Sequence, residues 1–241
     1  DTIKYLIDQK ASLSECDIEG GDALMSAAAN GNAPVVEYLL EHNAPLNSTM
    51  KNGRSAMYLA CLGRYEDIVK TLLERKCDPN IGKRETVLSL AVNMGQKHIA
   101  HTLLDAKANP SASSHGTYPL QDALLHGQMH IALLLLQAKA DIAPVKANGL
   151  LLALENGRAD IARLMISAKA NIHACNGDKD SALMLALKHD MQDVASMLVL
   201  ARADVNAVNE YGEPVLLAAL QSGSSGLVEA MLDCKVSVSQ L

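Results

Sequence analysis

Seven alanines recur along this chain at almost constant intervals, and this restricts the fold more than any other feature. Ala27, Ala60, Ala91, Ala123, Ala153, Ala186 and Ala219 align in the apolar runs ALMSAAANG, AMYLACLG, VLSLAVNMG, PLQDALLHG, LLLALENG, ALMLALKHD and VLLAALQSG. Their spacings are 33, 31, 32, 30, 33 and 33 residues. A period of that length belongs to stacked supersecondary units. A small residue kept in one register marks a place where two helices approach too closely for a larger side chain. The composition suits such packing: 49% of the 241 residues are apolar, yet Phe and Trp are absent, so burial rests on Leu, Ile, Val, Met and Ala.

Each unit has the same grammar. A polar stretch leads into a short apolar helix, a turn centred on Gly31, Gly95, Gly127, Gly157 or Gly223 follows, and a second helix closes the unit. In the second helix Val35, Val36, Leu39 and Leu40 have the spacing of one buried face. Arg64 and Asp190 replace the turn glycine in two units, where a strained or differently shaped turn is expected.

With these residues in place the chain resembles the ankyrin-repeat family. The second-helix stretches APVVEYLLEHNAPLN and EDIVKTLLERKCDPN carry the resemblance most closely. It implies an all-α solenoid of helix-turn-helix units joined by short hairpin-like loops. The expected repeats run over 17–49, 50–80, 81–112, 113–142, 143–175, 176–208 and 209–241, after a partial repeat at 1–16. Together they would form one domain of a longer chain. Where the family has Thr-Pro-Leu-His, this chain has DALM, SAMY, TVLS, YPLQ, NGLL, SALM and PVLL, never with the His. Packing is therefore expected to carry more of the first helix's stability. Units of this kind cannot bury their apolar faces alone and depend on their neighbours.

Several function classes find no support in the sequence. A net charge of −6 without a block of like charges gives no bulk attraction to nucleic acid or anionic lipid. No apolar run reaches the roughly 18 residues that a membrane span needs. Five cysteines without CxxC spacing point to free thiols in the cytoplasm or nucleus. HExxH, P-loop, GxSxG and GxGxxG patterns are all absent. His126 and His189 sit two repeats apart, roughly 20 Å, which is too far to share a metal. The expectation is a monomer with no catalytic residue, metal, cofactor or small-molecule substrate.

The resemblance implies a protein or peptide partner lying along a concave groove lined by first helices and hairpin tips. Two variable positions end each first helix, and there Leu62, Met94 and Leu125 are apolar in three successive repeats. An apolar strip with polar edges is a binding signal. The shortened intervals remove hairpin residues near 80–85, 111–117 and 142–148, which should lower the groove wall over the third to fifth repeats. The partner is expected on Met94, Leu125, His126 and Asn156, with Leu62 and His189 beyond them and Arg54, Lys83, Arg84 and Tyr211 as flanking anchors. Three functions fit: an interaction scaffold, the substrate-recruiting arm of an enzyme, or a microbial effector directed at host proteins. Asn206, in VLARADVN, resembles a family site of asparagine hydroxylation, although a structural hairpin asparagine accounts for it as well. Asn47-Ser48-Thr49 reads as a polar hairpin tip and SGSSG at 222–226 as the turn inside the last repeat.

A last recurrence is basic. Lys10, Asn43, Lys76, Lys107, Lys139, Lys169, Arg202 and Lys235 end successive second helices, where the family ordinarily has Gly. A left-handed backbone is expected there. The ladder reads foremost as the register mark of the repeat, and alternatively as a basic stripe for an acidic partner.

Overall fold

The computed structural model describes residue 9 and residues 11–82, 85–145 and 148–234. Lys83, Arg84, Lys10, Lys235 and most of the partial repeat lie outside them. Fourteen α-helices form seven pairs among the described residues. These are α1 Ala23–Ala29 and α2 Ala33–Glu41, α3 Ala56–Leu62 and α4 Glu66–Glu74, α5 Val87–Asn93 and α6 Lys97–Asp105, and α7 Pro119–Leu125 and α8 Met129–Gln137. Then come α9 Gly149–Glu155 and α10 Ala159–Ser167, α11 Ala182–Lys188 and α12 Gln192–Leu200, and α13 Val215–Gln221 and α14 Ser225–Asp233. Between the pairs the described residues hold isolated antiparallel bridges, Ser114 to Thr117, Cys175 to Ser181 and Val208 to Pro214, rather than strands.

The helices gather in two compact units, residues 1–123 and 124–241. In the first unit α1, α3 and α5 pack on one another more intimately than α2, α4 and α6 do. The register alanines are the reason. Ala60, Ala91 and Ala123 in the first unit, and Ala153, Ala186 and Ala219 in the second, have no exposed surface at all. Ala27 in the first repeat is buried with a sliver of exposure.

Each first helix is seven residues long, too short to persist alone. In four of the seven helices the start is fixed by a side-chain oxygen accepting a backbone N–H three residues on: Asp22 from Met25 (2.8 Å), Ser55 from Tyr58 (3.2 Å), Thr86 from Ser89 (3.1 Å) and Ser181 from Met184 (3.3 Å). These caps act beside the packing that is expected to carry more of the first helix's stability. Such a cap contributes about 1 kcal/mol. Pro119 opens α7 at its first turn, where a missing N–H is no loss.

Both helices of a pair stop in the same way. After the first helix the N–H two residues past the cap returns to the carbonyl of the register alanine: Asn32 to Ala27, Tyr65 to Ala60, Gln96 to Ala91, Arg158 to Ala153 and Met191 to Ala186. The residue before it takes a left-handed backbone, the usual terminus for a helix that ends in a paired 6→1 and 5→2 bond. Arg64 (φ 61°) and Asp190 (φ 53°) adopt the same conformation as Gly31 (φ 70°) or Gly157 (φ 65°). These two turns are thus strained but not differently shaped.

The second helices end in the same geometry, in five of them with a basic residue in the left-handed place. Lys139 donates its N–H to Leu136 and Ala140 to Leu135, both at 2.9 Å. Lys76, Lys107, Lys169 and Arg202 repeat the motif with φ between 62° and 69°. Asn43 does so at φ 61°. A non-glycine residue in this conformation costs of order 1 kcal/mol. The small residue that follows, such as Ala108 or Cys77, is buried against the pair.

The shortened linker near 142–148 is a 3-10 turn, Ala143–Val145. It lays Val145 over the start of α9, and a Cβ on Gly149 would stand 2.6 Å from Met165 Cε.

Candidate functional site

In the first unit the ends of α3 and α5 are joined. The guanidinium of Arg64 donates to the Met94 carbonyl (3.2 Å), and the buried Gln96 amide donates to the Cys61 carbonyl (2.9 Å). These bonds bring Leu62 and Met94 to one edge. Leu62 is 42% exposed. Met94 is half-buried, and its sulfur accepts from Gln96 Nε2 at 3.2 Å, so part of its apolar surface is already covered.

The same edge carries residues the sequence reading did not single out. The Tyr65 ring lies across Gly31 and Gly63, such that a Cβ on Gly63 would come within 2.2 Å of it and one on Gly31 within 2.5 Å. Gly63, next to Leu62 at the end of α3, is therefore small for packing. Asn52, Gly53, Arg54, Tyr58, Glu85 and His115 line a polar cleft of about 150 Å³ drawn from three successive hairpins. Tyr58 donates to Glu85 Oε2 at 2.6 Å, and Arg54 sits 5.4 Å from the Tyr58 ring centre. Burial, and then the Glu85 bond, push the Tyr58 hydroxyl up to about 12. Arg54 is thus an exposed anchor with a partner of its own. The i, i+4 placement of Arg54 and Tyr58 is the one signal in the sequence that could have revealed the cleft.

In the second unit Leu125, at the end of α7, is 66% exposed, and His126 beside it is exposed too. Asn156 is exposed and turns its amide back onto the Leu152 carbonyl (2.7 Å), closing its own helix. His189 is exposed at the end of α11. Neighbouring charges are committed to the hairpins. Glu155 accepts from Asn176 Nδ2 (3.2 Å), and Lys188 Nζ binds both oxygens of the buried Asp180 (2.8 and 2.7 Å).

Tyr211 tops the following hairpin, 74% exposed. The hairpin is held from beneath by Asn209, whose Oδ1 accepts from Tyr211 N (3.0 Å) and Glu213 N (2.9 Å). Asn176 holds the preceding hairpin in the same manner, receiving Asp178 N (3.1 Å) and Asp180 N (2.9 Å). The Tyr211 hydroxyl is raised above its usual range, first by the bond to Glu210. This rigid base beneath an exposed aromatic ring is a second feature the sequence reading missed.

The hairpin asparagines serve the stack. Asn47 Oδ1 accepts from Asp78 N (3.0 Å) and Asn80 Oδ1 from Asn109 N (2.7 Å), each tying one repeat to the next. Asn206 is exposed, with its N–H on Asp204 Oδ1 (2.9 Å). Within SGSSG, Ser222, Gly223 (φ 68°) and Ser224 form the turn between α13 and α14, and Ser225 and Gly226 open α14. All five cysteines are free, Cys61 and Cys77 buried and the others exposed. Among the described residues no three His, Cys, Asp or Glu side chains are placed to hold a metal ion, and no helix is long and apolar enough to cross a membrane.

The family model for ankyrin repeats (3 copies) matches residues 1–83 and 150–240, well over half of the chain. The human protein NAD-capped RNA hydrolase NUDT12 is 39% identical over 84 residues, 34% of this chain and 18% of that protein. Alpha-latrocrustotoxin-Lt1a of Latrodectus tredecimguttatus is 29% identical over 101 residues, 41% of this chain and 7% of the toxin. The putative ankyrin repeat protein FPV014 of fowlpox virus is 29% identical over 130 residues, 53% of this chain and 30% of that protein. The chain spans less than a third of the length of each of these relatives. Among solved structures, the ankyrin repeat domain of Bcl-3 aligns over 89% of this chain and 99% of its own, with a TM-score of 0.52 and 21% identity. That likeness establishes the fold.

Proposed function

The chain belongs to the ankyrin-repeat family, a family of protein-interaction modules, and from that premise we propose that it binds a protein or peptide partner on its first-helix ends without catalysing a reaction. One observation carries this reading: Leu62 and Leu125 stand exposed at the ends of first helices whose interior residues are almost wholly buried. Apolar surface of that kind, edged by polar hairpins, is stabilised when a partner removes it from water. Leu62 and Met94 serve in the first unit, beside Arg54 and the Tyr58 cleft. Leu125, His126, Asn156 and His189 serve in the second, with Tyr211 above them. Tyr and Arg are the residue types that most often dominate such interfaces.

A second reading is favoured by the NUDT12 match. The similar segment there is the ankyrin part of an enzyme, so the present repeats could recruit a substrate or partner for a catalytic domain elsewhere in the chain. Capture from a cell extract tests both. The wild-type protein should enrich a specific partner, and the Met94→Asp, Leu125→Asp variant, altered once in each unit, should lose it while keeping its helical circular dichroism. Retention of that partner by the variant would contradict the assignment of the face.

A further inference from the structure

At the ends of five second helices among the described residues, the left-handed rung is filled by a cation where the backbone favours glycine. Lys76 and Lys107 hold it in the first unit, and Lys139, Lys169 and Arg202 in three successive repeats of the second. All five side chains are exposed. Among the described residues none of them has a carboxylate within ion-pair distance or a side-chain hydrogen bond. Asp141 and Asp204 follow two residues after Lys139 and Arg202, but their Oδ1 atoms accept from Ala143 N and Asn206 N (both 2.9 Å), as Asn171 does from His173 N (3.0 Å). Those carboxylates thus close their own turns. Glycine or asparagine would end these helices with less strain, as Asn43 does in the second-helix turn of the first repeat. The attraction of a cation to the helix terminus is at most comparable to that strain. Folding alone therefore leaves the repeated positive charge unexplained.

We infer that Lys139, Lys169 and Arg202 form a basic ladder that binds an extended acidic polypeptide. Rungs of successive repeats are separated by a helix-packing distance of roughly 10 Å. A polyproline II segment repeats every three residues, about 9.3 Å, so an acidic residue at every third position meets each rung in turn. Duplex nucleic acid carries a charge about every 1.7 Å along its axis and offers no such register. This surface is separate from the first-helix face, and the inference goes beyond that reading.

The test is fluorescence anisotropy at low salt with a labelled peptide of five Glu-Pro-Pro triplets. The Lys139→Gly, Lys169→Gly, Arg202→Gly variant should bind at least tenfold more weakly, with a urea midpoint equal to or above that of wild type. A peptide of the same composition with its glutamates in one block should bind wild type less well. The Met94→Asp, Leu125→Asp variant should bind the triplet peptide as wild type does, which separates this inference from the first-helix face. If the glycine variant fails to fold, the corresponding triple asparagine variant replaces it, since Asn tolerates the left-handed turn. Equal affinity of the folded triple variant, or tighter binding of wild type to phosphatidylserine vesicles or a single-stranded oligonucleotide than to the peptide, overturns the inference.

Discussion

Single residues in this chain carry costs that glycine would relieve. Asp190 occupies a left-handed turn with only a weak bond from Gln192 Nε2 (3.2 Å) to its side chain. Asp190→Gly is expected to raise stability by up to about 0.5 kcal/mol in urea denaturation, the strain relieved less the freedom glycine gains when unfolded. The buried thiols set a pH limit. Burial pushes Cys61 up to about 12, and burial with Asp78 nearby does the same for Cys77, against an ordinary value of 9.0. Because the folded state prefers the protonated thiols, their contribution is complete below pH 9 and declines as the pH rises towards 12. The Cys61→Ala, Cys77→Ala variant should show a shallower alkaline loss of stability. In the folded wild type, iodoacetamide should label Cys16, Cys175 and Cys234 and spare the buried pair. The left-handed rungs were legible as departures from a glycine pattern. The Tyr58–Glu85 bond was not, because its partners stand 27 residues apart and only the stacking of hairpins brings them together.

At the scale of the helix pair, the register alanine does two things: it lets the first helices close on each other, and its carbonyl receives the N–H that ends the helix. Ala91→Leu is expected to cost about 1 to 3 kcal/mol through overpacking, measured as a fall in the urea midpoint. Ser55, fully buried at the start of α3, should cost about 1 kcal/mol on change to Ala. The pairs, their period and their buried faces could be read from the sequence, since Val36, Leu39 and Leu40 do face inward. Val35 is only half-covered because it lies on the rim of an open groove lined by Leu13, Ala23 and Leu39. Hairpin construction was legible only in part. Asn176 and Asn209 each hold two backbone N–H groups, a geometry that alternation of apolar and polar residues does not encode. Met94 was read as an exposed contact, and the Gln96 side chain that covers its sulfur lies only two residues away.

Across the whole molecule, stability accumulates repeat by repeat while function depends on the residues that stacking leaves uncovered. The alanine period established the family resemblance before any side chain was placed, and the family model and the Bcl-3 fold agree with it. The identity of a partner has no such signature, since it resides in positions like Leu62 and Leu125 that the repeat leaves free to vary. The most direct measurement is hydrogen-deuterium exchange of the full chain with and without the captured partner. Binding at the first-helix ends predicts slowed exchange at residues 62–64 and 93–95 in the first unit, at 125–127 and 155–157 in the second, or at both. Slowed exchange confined to the second helices, with those four segments unchanged, would contradict the account.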